Sequence, residues 1–160
     1  MKKIIVITIA ILLSVAAFAQ NGRSIYNKYS DAEGISAVYI SPAMFRLMGK
    51  IPEMDMGGED IDLSSIVKSL NGFYLINSVN TTINDDLRRD VEKYINSGKF
   101  ELLMEIKDSG EKVQILSIGD EKTVTSLVMM ASEQNEFTFI SMDGVMSREK
   151  LEEILANSMK

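Results

Sequence analysis

From Phe100 onward the chain alternates short apolar runs with short polar breaks. The runs are Glu101-Leu-Leu-Met-Glu-Ile-Lys107, Lys112-Val-Gln-Ile-Leu-Ser-Ile118, Val124-Thr-Ser-Leu-Val-Met-Met-Ala131 and Phe137-Thr-Phe-Ile-Ser-Met142. Each has the length of a strand, and the breaks at 108–111, 119–122 and 132–136 are short and polar enough to turn the chain straight back. The pattern predicts a four-stranded antiparallel meander. In the first run Leu102, Met104 and Ile106 share one parity, while Glu101, Glu105 and Lys107 share the other with only Leu103, so one face there is wet. In the third run both parities are apolar, which predicts a central strand covered on both sides.

Upstream the period changes. Ser24 to Asp31 carries Ile25, Tyr26 and Tyr29 at helical spacing and stops before Gly34. Ile35 to Ile40 reads as a strand, and Ser41-Pro42 offers a cap followed by proline at the first helical position. The short helix that follows, Ala43 to Met48, is nearly all apolar, so it is either buried or a contact surface. A loop rich in glycine and acids runs from Lys50 to Asp62. Leu63, Ile66, Val67 and Leu70 then recur as the stripe of an amphipathic helix that Asn71-Gly72 terminates. Phe73 to Val79 reads as a second strand. Asn80 to Asn84 supplies caps for a third helix with the stripe Ile83, Leu87, Val91, Tyr94 and Ile95, closed by Gly98 as the C′ residue. Its outer face sets Asp85 against Arg89 and Arg88 against Glu92 at i+4. After the meander Asp143-Gly144 is read as a turn and Ser147 as the cap of a last helix with Leu151, Ile154, Leu155 and Met159 inside. The order β-α-α-β-α-β-β-β-β-α predicts an α+β domain: a mainly antiparallel sheet with a C-terminal four-stranded meander and helices packed largely on one face. No internal repeat is evident.

The N-terminus changes the setting. Met1-Lys-Lys3 is basic, Ile4 to Ala17 is apolar apart from Thr8 and Ser14, and Ala17-Phe18-Ala19 has the small-x-small form of a cleavage site. This is the order of a cleavable secretory signal, so residues 1–19 are expected to leave and residues 20–160 to form one domain. Without cysteine the new N-terminus cannot carry a lipid anchor. Cleavage removes two lysines and leaves 15 basic against 23 acidic residues, a formal charge of −8. A domain of that charge repels phosphate backbones and anionic headgroups, which argues against nucleic acid and against electrostatic membrane binding.

Composition also narrows the chemistry. With no histidine, cysteine or tryptophan, Ser-His-Asp and Cys-His machinery, thiol redox and the usual zinc sites are excluded. Ser-x-x-Lys spacing occurs at Ser65/Lys68, Ser109/Lys112 and Ser147/Lys150, and three matches in one small chain show how little the spacing specifies. The acids Asp55, Glu59, Asp60 and Asp62 could gather round calcium, but their spacing is not that of an EF-hand loop and a solvated loop accounts for them. A carboxylate pair for glycoside cleavage cannot be assigned from sequence. Ten of eleven methionines survive cleavage, several near the short apolar helix and the sheet, where thioether side chains fill irregular gaps or make adaptable binding surfaces. No Met-x-x-Met array for copper accompanies them.

Three stretches, Val38-Tyr-Ile-Ser-Pro-Ala-Met-Phe-Arg-Leu-Met48, Phe100 to Lys112, and Leu127-Val-Met-Met-Ala131 with Phe137 to Gly144, resemble an uncharacterised domain-of-unknown-function family of small exported Bacteroidetes proteins. The resemblance spans nearly all of the chain after the signal and implies a periplasmic setting; its motifs are structural, so it assigns no catalytic residue, cofactor or metal. The reading that follows is an exported, non-enzymatic binding or sensing module whose partner, an envelope protein or peptide, meets Met44, Phe45, Met48, Met54 and Met56. Two other classes stay open: a carrier of an apolar small molecule or lipid in a methionine-lined pocket, and a carboxylate or Ser/Lys hydrolase. N-terminal sequencing of the protein recovered from an envelope fraction is expected to begin at Gln20; an intact Met1 would contradict the export signal.

Overall fold

Asn21 caps the first helix: its Oδ1 accepts from the Ser24 amide at 2.9 Å, and its own amide donates to Ser24 Oγ at 3.0 Å. This reciprocal box satisfies two donors that a helix start otherwise leaves open, and it begins α1 (Gly22–Tyr29) two residues before the apolar spacing does. The computed structural model describes residues 21–48 and 69–158. After α1 come β1 (Ile35–Ile40), α2 (Pro42–Met48), β2 (Leu70–Ser78), α3 (Thr81–Ser97), β3 (Glu101–Asp108), β4 (Glu111–Gly119), β5 (Thr123–Ser132), β6 (Phe137–Ser147) and α4 (Arg148–Ser158). The stripe over Leu63 to Val67 lies outside the described residues.

The strands form one antiparallel sheet in the order β1-β2-β6-β5-β4-β3. β3 to β6 are the expected meander, and β5, apolar at both parities, lies inside the sheet between β4 and β6. Ser109 and Gly110, both at positive φ, turn β3 into β4 with only two residues, the conformation whose twist suits a tight hairpin. β2 adds to the far side of β6, so α3 must carry the chain across the sheet from β2 to the opposite edge. Asn80 starts this crossover helix by accepting from the amides of Thr82 and Ile83, and Gly98 ends it in extended rather than left-handed backbone, with φ −86°.

Strand alternation sorts the core into two layers. On one face Ile76, Phe139, Val128 and Leu116 meet Ile25 and Tyr29 of α1 and Leu87, Val91 and Tyr94 of α3. Residues of opposite parity, Ile40, Phe73, Met142 and Leu127, are cross-strand neighbours on the other face, where Phe45 of α2 and Leu151 of α4 join them. The α+β architecture is therefore the one expected. α1 and α3 lie on one face, while α2 and α4 meet the second face at one end only.

Three local readings are corrected. Asn71-Gly72 and Asp143-Gly144 look like chain punctuation, yet both lie inside strands. Leu70 pairs with Gly144 and Gly72 with Asp143, leaving Asn71 as the extra residue of a bulge. A Cβ on Gly144 would lie 2.3 Å from the Ser69 carbonyl oxygen, so glycine is there for close backbone approach and not for a turn. On α3 the expected i+4 ion pairs give way to an Arg89–Asp86 pair at 2.8 Å, and Arg88 lies over the Phe137 ring, 5.4 Å from its centroid. Arg88 thus packs its guanidinium on the core instead of meeting Glu92.

Gly144→Ala is expected to destabilise the fold by about 1–3 kcal/mol, because the neighbour it meets is backbone and cannot swing aside. Urea unfolding followed by circular dichroism measures this; an unchanged midpoint would contradict the close approach.

Candidate functional site

α2 begins as its sequence dictates. Ser41 Oγ accepts from the Met44 amide at 3.3 Å and the Ser41 carbonyl from the Phe45 amide at 3.2 Å, with Pro42 in the first turn. A helix this short shows one side to the sheet and one to solvent. Phe45 turns inward and is only 4% exposed, packed into the second core; Met44 and Leu47 turn outward, 48% and 60% exposed. The structure thus separates Phe45 from Met44: the phenyl ring anchors the helix, and the outward side chains are those a partner can touch. The side chain of Met48 and all of Met54 and Met56 lie outside the described residues. Leu47 was not singled out from sequence, because in a helix whose residues are nearly all apolar little marks which one faces the core.

Beyond α2 and α4 the second face continues as an apolar strip. The registers place Val38, Leu75, Ile140, Met129, Ile115 and Met104 side by side, one from each strand and each opposite the next. The inner five are half-buried, and Val38 at the rim is 44% exposed. The strip could be found only after the registers were known, since its six residues are scattered from position 38 to position 140.

On the other face of β1 the rings of Tyr39 and Tyr74 stack with centroids 5.3 Å apart, and Tyr26 of α1 leans on each at 6.0 Å. This cluster holds β1 to β2 and to α1, so the edge strand is fixed by aromatic packing.

Among the described residues the Ser109/Lys112 pair is engaged elsewhere. Ser109 Oγ donates to Asp108 at 2.8 Å in the hairpin turn, while Lys112 faces Glu105 across the β3–β4 ladder at 3.5 Å. Ser147 Oγ accepts from the Lys150 amide at the start of α4, and Ser65/Lys68 and the acids of 53–62 lie outside the described residues. Among the described residues no three acids gather as metal ligands. Two carboxylates, Asp143 half-buried and Asp90 buried, take part in hydrogen bonds inside the fold. Asp143 accepts from Ser126 Oγ at 2.9 Å, and Ser126 Oγ in turn lies 3.3 Å from the Tyr94 hydroxyl; burial pushes the Asp143 carboxyl above its ordinary range, partly opposed by the Ser126 bond. Between α1 and α3, Asp90 accepts from the Tyr29 hydroxyl at 2.7 Å and from the Lys28 ammonium. Burial alone would raise the Asp90 carboxyl, but the bonds from Lys28 and Tyr29 outweigh it and hold the group below its ordinary value of 3.8. Both clusters tie elements together through their hydrogen bonds.

These features define an α+β domain with an open six-stranded antiparallel sheet. The chain belongs to the family described as Domain of unknown function (DUF4252), whose pattern matches residues 29–154, from the end of α1 into α4 and so across the whole sheet. No curated protein matches the chain.

Asp90→Ala is expected to cost about 1–2 kcal/mol, since it strands the buried Tyr29 hydroxyl, whereas Lys28→Ala costs less than about 0.5 kcal/mol because that ammonium is largely in water. Because the folded Asp90 pKa is lowered, its contribution is present above pH 3.8 and is lost as pH falls through the lower folded value. Chemical unfolding of the wild type and both variants at neutral and acidic pH tests the sign; equal costs for the two variants would contradict the assignment.

Proposed function

We propose that this protein is an exported, non-enzymatic binding module of the cell envelope, and that the outward side of α2 receives a protein or peptide partner. The observation that carries the reading is the division of α2: Phe45 locks the helix to the second core while Met44 and Leu47 stand exposed beside a sheet face that is itself apolar. A rigid element presenting unpaired methionine and leucine side chains has the character of a contact surface. Export is supported by the leader-like order of residues 1–19, and the resemblance to small exported Bacteroidetes proteins favours the periplasm. The acidic balance supports a protein partner over nucleic acid or anionic lipid. No described helix is long and apolar enough to cross a membrane.

A second reading, a carrier of an apolar small molecule, is favoured by one observation: Met104 and Met129 sit in the half-buried strip of the second face. Native mass spectrometry distinguishes the two, since a carrier copurifies with its cargo.

The test of the lead reading is a pull-down from envelope extract with wild type, Met44→Asp, Leu47→Asp and a control, Val79→Asp, at another exposed position. Each variant is first shown to fold by circular dichroism. The two α2 variants are expected to lose partners several-fold while the control keeps them; equal recovery by all four would remove the proposal. Phe45→Asp is unsuitable, because a buried charge at that position unfolds the second core.

A further inference from the structure

The two outer strands of the sheet are built differently. β3 carries Glu101, Glu105, Lys107 and Asp108, and Leu103 interrupts its register as a bulge. Charges and bulges are what keep a sheet edge from pairing with another strand. β1, Ile35-Ser-Ala-Val-Tyr-Ile40, has no charge, no proline and an unbroken register with β2. Among the described residues its outer side has no strand beside it. Val38 and Tyr39 are 44% and 40% exposed there. A bare edge presents a row of backbone donors and acceptors that an extended strand satisfies all at once.

We propose that β1 pairs antiparallel with β1 of a second copy of this chain, about a two-fold axis between the two Val38 residues. The symmetry restricts the register, because a two-fold normal to the sheet sets one residue opposite its own mate. Centring on Val38 places Ala37 opposite Tyr39 and Ser36 opposite Ile40, so a small side chain makes room for each tyrosine ring. The same register runs the apolar strip that ends at Val38 directly into the strip of the second copy. Centring on Ala37 would instead oppose Val38 by Ser36 and break that row. No charged side chain of β1 meets its like, although each chain is strongly acidic. The strand thus supplies its own complement, which is the argument for a second copy over a foreign strand. This interface uses β1 and not α2, so it stands or falls apart from the partner proposed for Met44 and Leu47.

Sedimentation velocity on the exported protein, residues 20–160, over a range of concentrations is expected to show a monomer converting to a dimer. Val38→Lys and Val38→Asp each place like charges opposite one another and are expected to abolish the dimer; an equimolar mixture, with Lys opposite Asp, is expected to restore it. Val79→Lys, at an exposed position off the edge, is the control and keeps the dimer. Circular dichroism confirms that every variant folds, as substitution of a rim residue should allow. A wild type that stays monomeric throughout, a dimer indifferent to Val38→Lys, or a mixture that stays monomeric would each overturn the proposal.

Discussion

The antiparallel pairing of β2 with β6 is the contact on which the rest of the structure depends. It joins a two-stranded unit, β1 and β2, to a four-stranded meander that closes locally through short turns. The meander needs only neighbouring residues to meet, whereas this ladder brings Leu70 to Ser78 against Phe137 to Gly144, 59 to 74 positions away. Its register fixes both layers of the core, because a slip by one residue would exchange the faces on which Ile76 and Phe73 lie. The bulge at Asn71 and the close passage at Gly144 are local costs of holding that register at its far end.

A sheet six strands wide has two faces to cover, and the described helices divide them unequally. α3 crosses the first face on its way from one side of the sheet to the other and, with α1, closes it over a continuous aromatic and aliphatic core. On the second face α2 and α4 supply Phe45 and Leu151 at one end, and the remaining apolar row runs on to the rim at Val38. The exposed side of α2 follows from this geometry. Phe45 is anchored in the second core while Met44 and Leu47, on the other side of the seven-residue helix, stay outside.

The polar groups within the fold serve the same end. Asp90 accepts from Tyr29 and Lys28 and so fastens α1 to α3, while the Asp143–Ser126–Tyr94 chain fastens α3 to the centre of the sheet. A buried carboxylate with one hydroxyl donor is poorly compensated, and its raised pKa is the direct consequence. A chain without histidine or cysteine has no imidazole or thiol with which to build a nucleophile and its base.

Short-range pattern and composition were enough for the order of the described strands and of the helices that flank them, the meander, the central place of β5, the caps at Asn80 and Ser41, and the lack of imidazole and thiol side chains. These follow from short-range periodicity and from composition, which act within a turn or a hairpin. Where glycine and asparagine serve a distant partner and not their own neighbours, local reading failed: Asn71-Gly72 and Asp143-Gly144 look like turns, but each is shaped by the other across the β2–β6 ladder. Arg88 was equally opaque, since only the fold places the Phe137 ring beneath it. The candidate surface was half legible. The apolar character of α2 is plain in its residues, but which of Met44, Phe45 and Leu47 faces out, and that Val38 heads a row reaching Met104, were decided by tertiary structure alone, because facing and register are set by contacts between residues far apart in the chain.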